Sequence, residues 1–208
     1  MATIASPRSA PARGNARFFA VMAFAMAGTI VAGFSLQLAM GRSSFDVPAV
    51  YHLHALTSMG WIALYLAQHI SAASGNWTLH VRLGKLAYVW IVVMVVTGLT
   101  IMIAVARRTG GPFFFDLNEF LISNLALLLC FGGLALWALR RQRHTGWHRR
   151  LMLVSMAILT GPGLGRLLPL PLMIPYSWTI SFATTLLFPA IAMAADWRRD
   201  RRIHPAYW

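Results

Sequence analysis

An all-α integral membrane protein, built as a bundle of six transmembrane helices, is the fold class this sequence predicts, and three observations predict it. Apolar residues make up 58% of the 208 and charged residues 11%, a balance too apolar for a soluble domain of this length. Six apolar runs each approach the ~20 residues that a helix needs to cross a bilayer. The 18 basic residues collect at the ends of those runs and oppose only five acids, Asp46, Asp116, Glu119, Asp196 and Asp200. The formal charge of +13 therefore reads as membrane topology, and nucleic acid is not expected as a partner.

Taken in order, residues 1–17 form a polar tail with no hydrophobic periodicity, expected to be disordered and cytoplasmic. The first apolar run, 18–40, is 23 residues long, whereas the core of a cleaved signal peptide spans roughly 7–15. It is expected to remain as the first span. The other five lie at about 50–70, 86–105, 120–139, 151–168 and 176–195, so that the membrane domain covers 18–197 and a second cytoplasmic tail covers 198–208. Counting Lys and Arg on alternate sides gives 14 against 4, the minority being Arg42, Arg107, Arg108 and Arg166. Cytoplasmic loops retain basic residues during insertion, which places both termini in the cytoplasm of a bacterial inner membrane. Trp77, Trp147, Tyr176, Trp178, Trp197 and Tyr207 fall at span ends, as interfacial belts require. Cys130 is the sole cysteine; it excludes an internal disulfide and reads as a small core residue.

Seven histidines in so short a membrane chain call for an account, because ionisable groups in or beside a bilayer are costly. They divide into an outer layer, His52 and His54, and an inner layer, His69, His80, His144 and His148, with His204 in the tail. On the second span His54, Ser58, Trp61, Tyr65 and Gln68 recur at helical spacing and make one protein-facing stripe. On the fifth, His148, Ser155 and Arg166 project in nearly one direction, the latter just beyond Gly161-Pro162-Gly163-Leu164-Gly165, a sequence that permits a kink or an unwound turn. Arg166 is expected to pair with Asp116 or Glu119, the nearby acids. Alternatively His54, Tyr65, Gln68 and Arg166 line a polar path for a small solute.

The inner layer carries the most specific pattern. The third and fifth spans open with the same motif, His80-Val81-Arg82-Leu83 and His148-Arg149-Arg150-Leu151. Running in parallel, they put two imidazoles at equal depth, as a bis-histidine haem b requires. His144 and His148, four residues apart, are expected to share a face and could instead clasp a non-haem metal together with His69. A third reading needs no cofactor: the motif anchors each helix in the anionic interface.

The motifs His52-Leu53-His54-Ala55, Gly60-Trp61, Gln68, Leu79-His80-x-x-Leu83-Gly84 and His148-Arg149-Arg150-Leu151-Met152, followed by Arg166, together resemble those of uncharacterised bacterial multi-span membrane proteins with a His-rich helical core. More loosely, the chain is similar to the transmembrane cytochromes b, which bind haem between four helices. That likeness implies electron transfer or quinone-linked redox chemistry, with His80 and His148 as axial ligands and a quinone or a redox protein as partner. It departs from the pattern in having no histidine on the fourth span. A small-solute transporter or channel, and a non-catalytic subunit of a larger membrane complex, are the competing functions.

Overall fold

The computed structural model describes residues 10–208, with side chains from Ala16 onward. Helices account for the regular structure among the described residues: α1 (Ala10–Ala39), α2 (Ala49–Ser74), α3 (Trp77–Thr109), α4 (Leu117–Arg140), α5 (Thr145–Leu159), α6 (Gly161–Leu167), α7 (Ser177–Thr185) and α8 (Leu187–Asp200). Two short 3-10 turns, Leu170–Met173 and Pro205–Tyr207, complete the chain. Of the tail expected at 1–17, residues 1–9 lie outside the described residues, and Ala10 onward already belongs to α1.

Four stretches are long and apolar enough to cross a membrane: Ala16–Ala39, Trp77–Thr109, Leu117–Arg140 and Ser177–Asp200. The other two expected spans are also helical but more polar. α2 has 26 residues, or ~39 Å at 1.5 Å per residue, yet it carries His52, His54, Gln68 and His69. The fifth run is divided into α5 and α6 at Thr160, whose backbone stays in the right-handed helical region at φ −73° and ψ −19°. Pro162 supplies no N–H to the ladder there, and the Thr160 hydroxyl donates to the Ala157 carbonyl at 2.6 Å. The same device recurs between α7 and α8, where Pro189 follows Thr185 and the Thr185 hydroxyl donates to the Phe182 carbonyl at 2.7 Å.

Short connections make neighbours of successive helices. Gly75, at φ 78°, ends α2 in the left-handed conformation that glycine adopts without strain, and the Asn76 side chain then accepts from the Leu79 amide to start α3. α2 packs on α3, α3 on α4 and α4 on α5, while α1 closes the ring against both α2 and α5. Its centre is filled by Met26, Trp61, Ile91, Phe131, Leu153 and Met156, with Trp61 edge-on to Phe131 at 5.4 Å between ring centres. α1 also crosses α6 at backbone contact. A Cβ on Gly33 would lie 2.2 Å from the Gly163 oxygen, and one on Gly163 would lie 2.7 Å from the Ile30 Cα.

The outer faces of the long helices expose Val89, Val92 and Val96 on α3 and Ile122 and Leu129 on α4. Such a surface matches lipid tails rather than water. Cys130 is exposed on α4 instead of lying in the core, because it projects from that apolar outer face.

Candidate functional site

His80 stands in the first turn of α3 and His148 in the first turn of α5, and the fold brings these two rings together. Their centres are 6.4 Å apart and their planes stand at 83°. Each ring is held from behind by a neighbouring helix. His80 Nδ1 lies 3.2 Å from the Gln68 carbonyl of α2, and His148 Nδ1 lies 2.8 Å from the Ala138 carbonyl in the last turn of α4. A carbonyl only accepts, so Nδ1 carries a proton in both rings, and in a neutral ring Nε2 is then the nitrogen with the free lone pair. This is the arrangement by which proteins orient a metal-ligating histidine.

His69, one turn from Tyr65 on α2, packs edge-on to that phenol at 4.7 Å and lies within electrostatic reach of both His80 and His148. Gln68 presents its Nε2 3.5 Å from where a Cβ on Gly84 would stand, while its Oε1 is buried without a partner. The Gln68 amide thus lies within ordinary van der Waals reach of position 84 on α3.

The alternative clasp of His69, His144 and His148 is not assembled. His144 is the residue before α5, at φ −102° and ψ 81°. Outside the helix, it does not share a face with His148, and it is exposed. Among the described residues no three His, Cys, Asp or Glu side chains gather as a metal-ligand set.

The expected pairing of Arg166 with Asp116 or Glu119 is also corrected. Glu119 turns back to its own helix start, where the Asp116 amide donates to its Oε2 at 3.4 Å. Arg166 instead donates through Nη1 to the Pro162 carbonyl at 2.8 Å and lies over the Phe34 ring at 4.0 Å. Its own carbonyl accepts from Gln37 Nε2 at 2.9 Å, which ties α1 to the end of α6. The stripe on α2 does face protein, with Trp61 and Tyr65 fully packed in the core. Those two rings separate His54 and Arg166 at one end from Gln68 and the paired histidines at the other.

The strongest polar contact is one that sequence reasoning missed. Arg150 and Asp196 form a two-point ion pair, Nε to Oδ2 at 2.6 Å and Nη2 to Oδ1 at 2.7 Å, with both side chains buried. Arg199 adds a bond from Nη2 to Oδ1 at 2.9 Å. The signal in the chain is an aspartate at the end of the last apolar run, beside Arg198 and Arg199, whose charge serves topology as well. This pair holds α8 on α5, and the C-terminal turn covers it. There Ala206 packs against Ala138 and Leu151, its amide donates to His204 Nδ1 at 3.1 Å, and the His204 ring meets Trp147 edge-on. Burial, followed by the Arg150 charge, holds the His204 imidazole below its ordinary pKa.

No protein-family profile, curated protein or solved structure matches this chain.

Proposed function

We propose that this chain is a bacterial inner-membrane haem b protein that carries electrons, with His80 and His148 as the two axial ligands. One observation carries the reading: two imidazoles on different helices, each with Nδ1 anchored to a carbonyl, stand near-perpendicular with ring centres 6.4 Å apart. Two imidazoles that bind one metal from opposite sides, with each nitrogen ~2 Å from it, leave their ring centres roughly 6 Å apart. The donor set also fits, because neutral nitrogen on both faces is the low-spin b-type ligation. α3 and α5 both pack more closely on α4 than on each other. Gln68 of α2, whose Oε1 is buried without a partner, has an acceptor to offer a group held near His80, to which its own carbonyl is bonded.

When bound, the haem iron supplies a one-electron couple. The protein's part is to fix both ligand tautomers, to raise ligand basicity through the two carbonyls, and to keep the pair inside the helical ring. A quinone or a redox protein is the fitting electron partner. In this reading α2 and the α5–α6 run also cross the bilayer, giving six spans, and the 14-to-4 distribution of basic residues keeps both termini cytoplasmic. α2 and α5 bury polar groups such as Ser71, Arg150 and Ser155 within the protein, which is how polar spans are tolerated.

The test is the absorbance spectrum of the full-length protein purified in detergent after expression with ample haem. A Soret band and an α band that sharpens on reduction are expected. His80→Ala and His148→Ala should each abolish the low-spin spectrum, while His52→Ala, at the other end of α2, leaves it intact. A colourless wild-type protein refutes the proposal.

A further inference from the structure

Three arginines surround Phe18 and Phe19 of α1, and they are not answered alike. Arg149 and Arg150 of α5 both lie over the Phe19 ring, at 5.0 and 5.9 Å from its centre, and Arg199 of α8 lies over the Phe18 ring at 5.2 Å. The two phenyl rings meet edge to face with centres 5.4 Å apart, so one aromatic pair on α1 gathers guanidinium groups from two other helices. Arg150 is buried and has all three nitrogens engaged, Nε and Nη2 by Asp196 and Nη1 by the Gly146 carbonyl. Arg199 donates through Nη2 to Asp196 and through Nε to the Ala195 carbonyl. Arg149 makes no hydrogen bond or ion pair among the described residues; its Nε is sealed in protein, while its two terminal nitrogens are not.

Among the described residues no carboxylate is left to answer Arg149. Three guanidinium groups against the single carboxylate of Asp196 leave two net positive charges. Asp196 is fully buried, and both of its oxygens are taken by Arg150 and Arg199. Asp200, the next acid along α8, forms no ion pair with any of the three. No acid precedes Asp46 in the sequence, so residues 1–17 bring no carboxylate either.

The cluster also lies at headgroup depth. Phe18 is the third residue of the apolar stretch Ala16–Ala39, and Arg199 is the last but one of Ser177–Asp200. Further along α1, Val21 and Phe24 are exposed, an apolar surface suited to acyl chains. Guanidinium N–H donors match the paired oxygens of a phosphate, and the excess of positive charge favours an anionic lipid over a zwitterionic one. We infer that Arg149 and Arg199, stacked on Phe19 and Phe18, hold the phosphate of one anionic phospholipid where α1, α5 and α8 meet. A free phosphate ion shares that chemistry but has no acyl chains to cover Val21 and Phe24. The inference rests on the reading of α1 and of the α7–α8 run as membrane spans, and it is independent of the haem.

The experiment uses the full-length protein in detergent. Native mass spectrometry follows lipid retention as phosphatidylglycerol or phosphatidylcholine is added, and thermal unfolding is titrated with inorganic phosphate at constant ionic strength. Saturable retention of one phosphatidylglycerol is expected, with phosphatidylcholine bound more weakly. Arg149→Gln should weaken that retention roughly tenfold, as loss of a hydrogen bond to a charged group does, whereas Arg82→Gln, the same charge loss at an exposed position on α3, should not. If Arg149→Gln does not fold, Arg199→Gln, also at an exposed position, decides in its place. Equal retention of the two lipids, or an equal loss in the Arg149 and Arg82 variants, overturns the inference. So does a saturable response to inorganic phosphate with no lipid retained, which would identify a free anion. A protein that stays in solution without detergent overturns the membrane reading itself, whatever its absorbance spectrum.

Discussion

Two arginines at opposite ends of the helical ring are held in opposite ways. At the end that carries the paired histidines, Arg150 is buried and answered by Asp196, which also takes Arg199. At the other end Arg166 is held by an aromatic face and one carbonyl, with no carboxylate. A buried charge needs a partner inside the protein, whereas a charge at the rim can be left for something outside it. The first arrangement locks α8 and the C-terminal turn onto α5; the second leaves the Arg166 guanidinium without a carboxylate.

The sharpest way to break this contrast is to remove the answering carboxylate. Asp196→Ala leaves the Arg150 guanidinium buried and unpaired, and should destabilise the protein by about 3–5 kcal/mol. Removing Glu119, which binds only its own helix start at the other end, should cost under about 1 kcal/mol. Thermal unfolding in detergent compares the two. Equal effects would show that the two ends do not differ in how their charges are held.

A second prediction concerns the α1–α6 crossing that positions Arg166. Gly163→Ala forces a methyl group against the Ile30 backbone at 2.7 Å, and overpacking of this kind costs about 1–3 kcal/mol. Gly28 lies on the same helix α1 with open space where its Cβ would be, so Gly28→Ala should be neutral or slightly stabilising. If Gly163→Ala matches Gly28→Ala in unfolding temperature, α6 is not fixed by that crossing.

The smallest expected effect is in the tail. His204 is held below its ordinary value of 6.5 by burial and then by Arg150, with Arg149 acting in the same direction and Asp196 against them. The neutral ring is thus favoured in the folded state. The unfolded chain binds its proton first as pH falls, so the tail's contribution is intact above about pH 6.5 and declines below it. Protonation of Nδ1 also removes the acceptor of the Ala206 amide. Hydrogen exchange at Ala206 should accelerate as pH is lowered from 7 to 5, after correction for intrinsic rates, and His204→Asn should flatten that dependence. A pH-independent, fully protected Ala206 amide would show that the turn is held by its apolar packing alone.

Much of the histidine arrangement was legible from the chain itself. The repeated His-x-Arg-Leu opening marked His80 and His148 as equivalent, and short connections between apolar runs implied that their helices run in parallel. Helical spacing likewise placed Trp61 and Tyr65 on a protein-facing stripe, since periodicity reports which side of a helix is buried. The misplaced expectations turn on details of local boundary and of long-range packing. His144 is expected on a helix that begins one residue later, and Arg166 is expected to meet Asp116 or Glu119 because all three fall at the same end of their spans, which does not fix which side chains touch.

What the sequence by itself determined is the all-helical architecture, its apolar outer surface and the presence of two matched histidines, because these follow from composition and from periods set by backbone geometry. Only the tertiary structure decided that the His80 and His148 rings meet with each Nδ1 against a carbonyl, that Arg150 belongs to Asp196, and that Arg166 belongs to no carboxylate. Each of these depends on which helices touch and at what depth. That is settled by long-range packing, here by the backbone contact of Gly33 with Gly163 and by the closing of α1 against α2 and α5, and no local pattern in the chain encodes it.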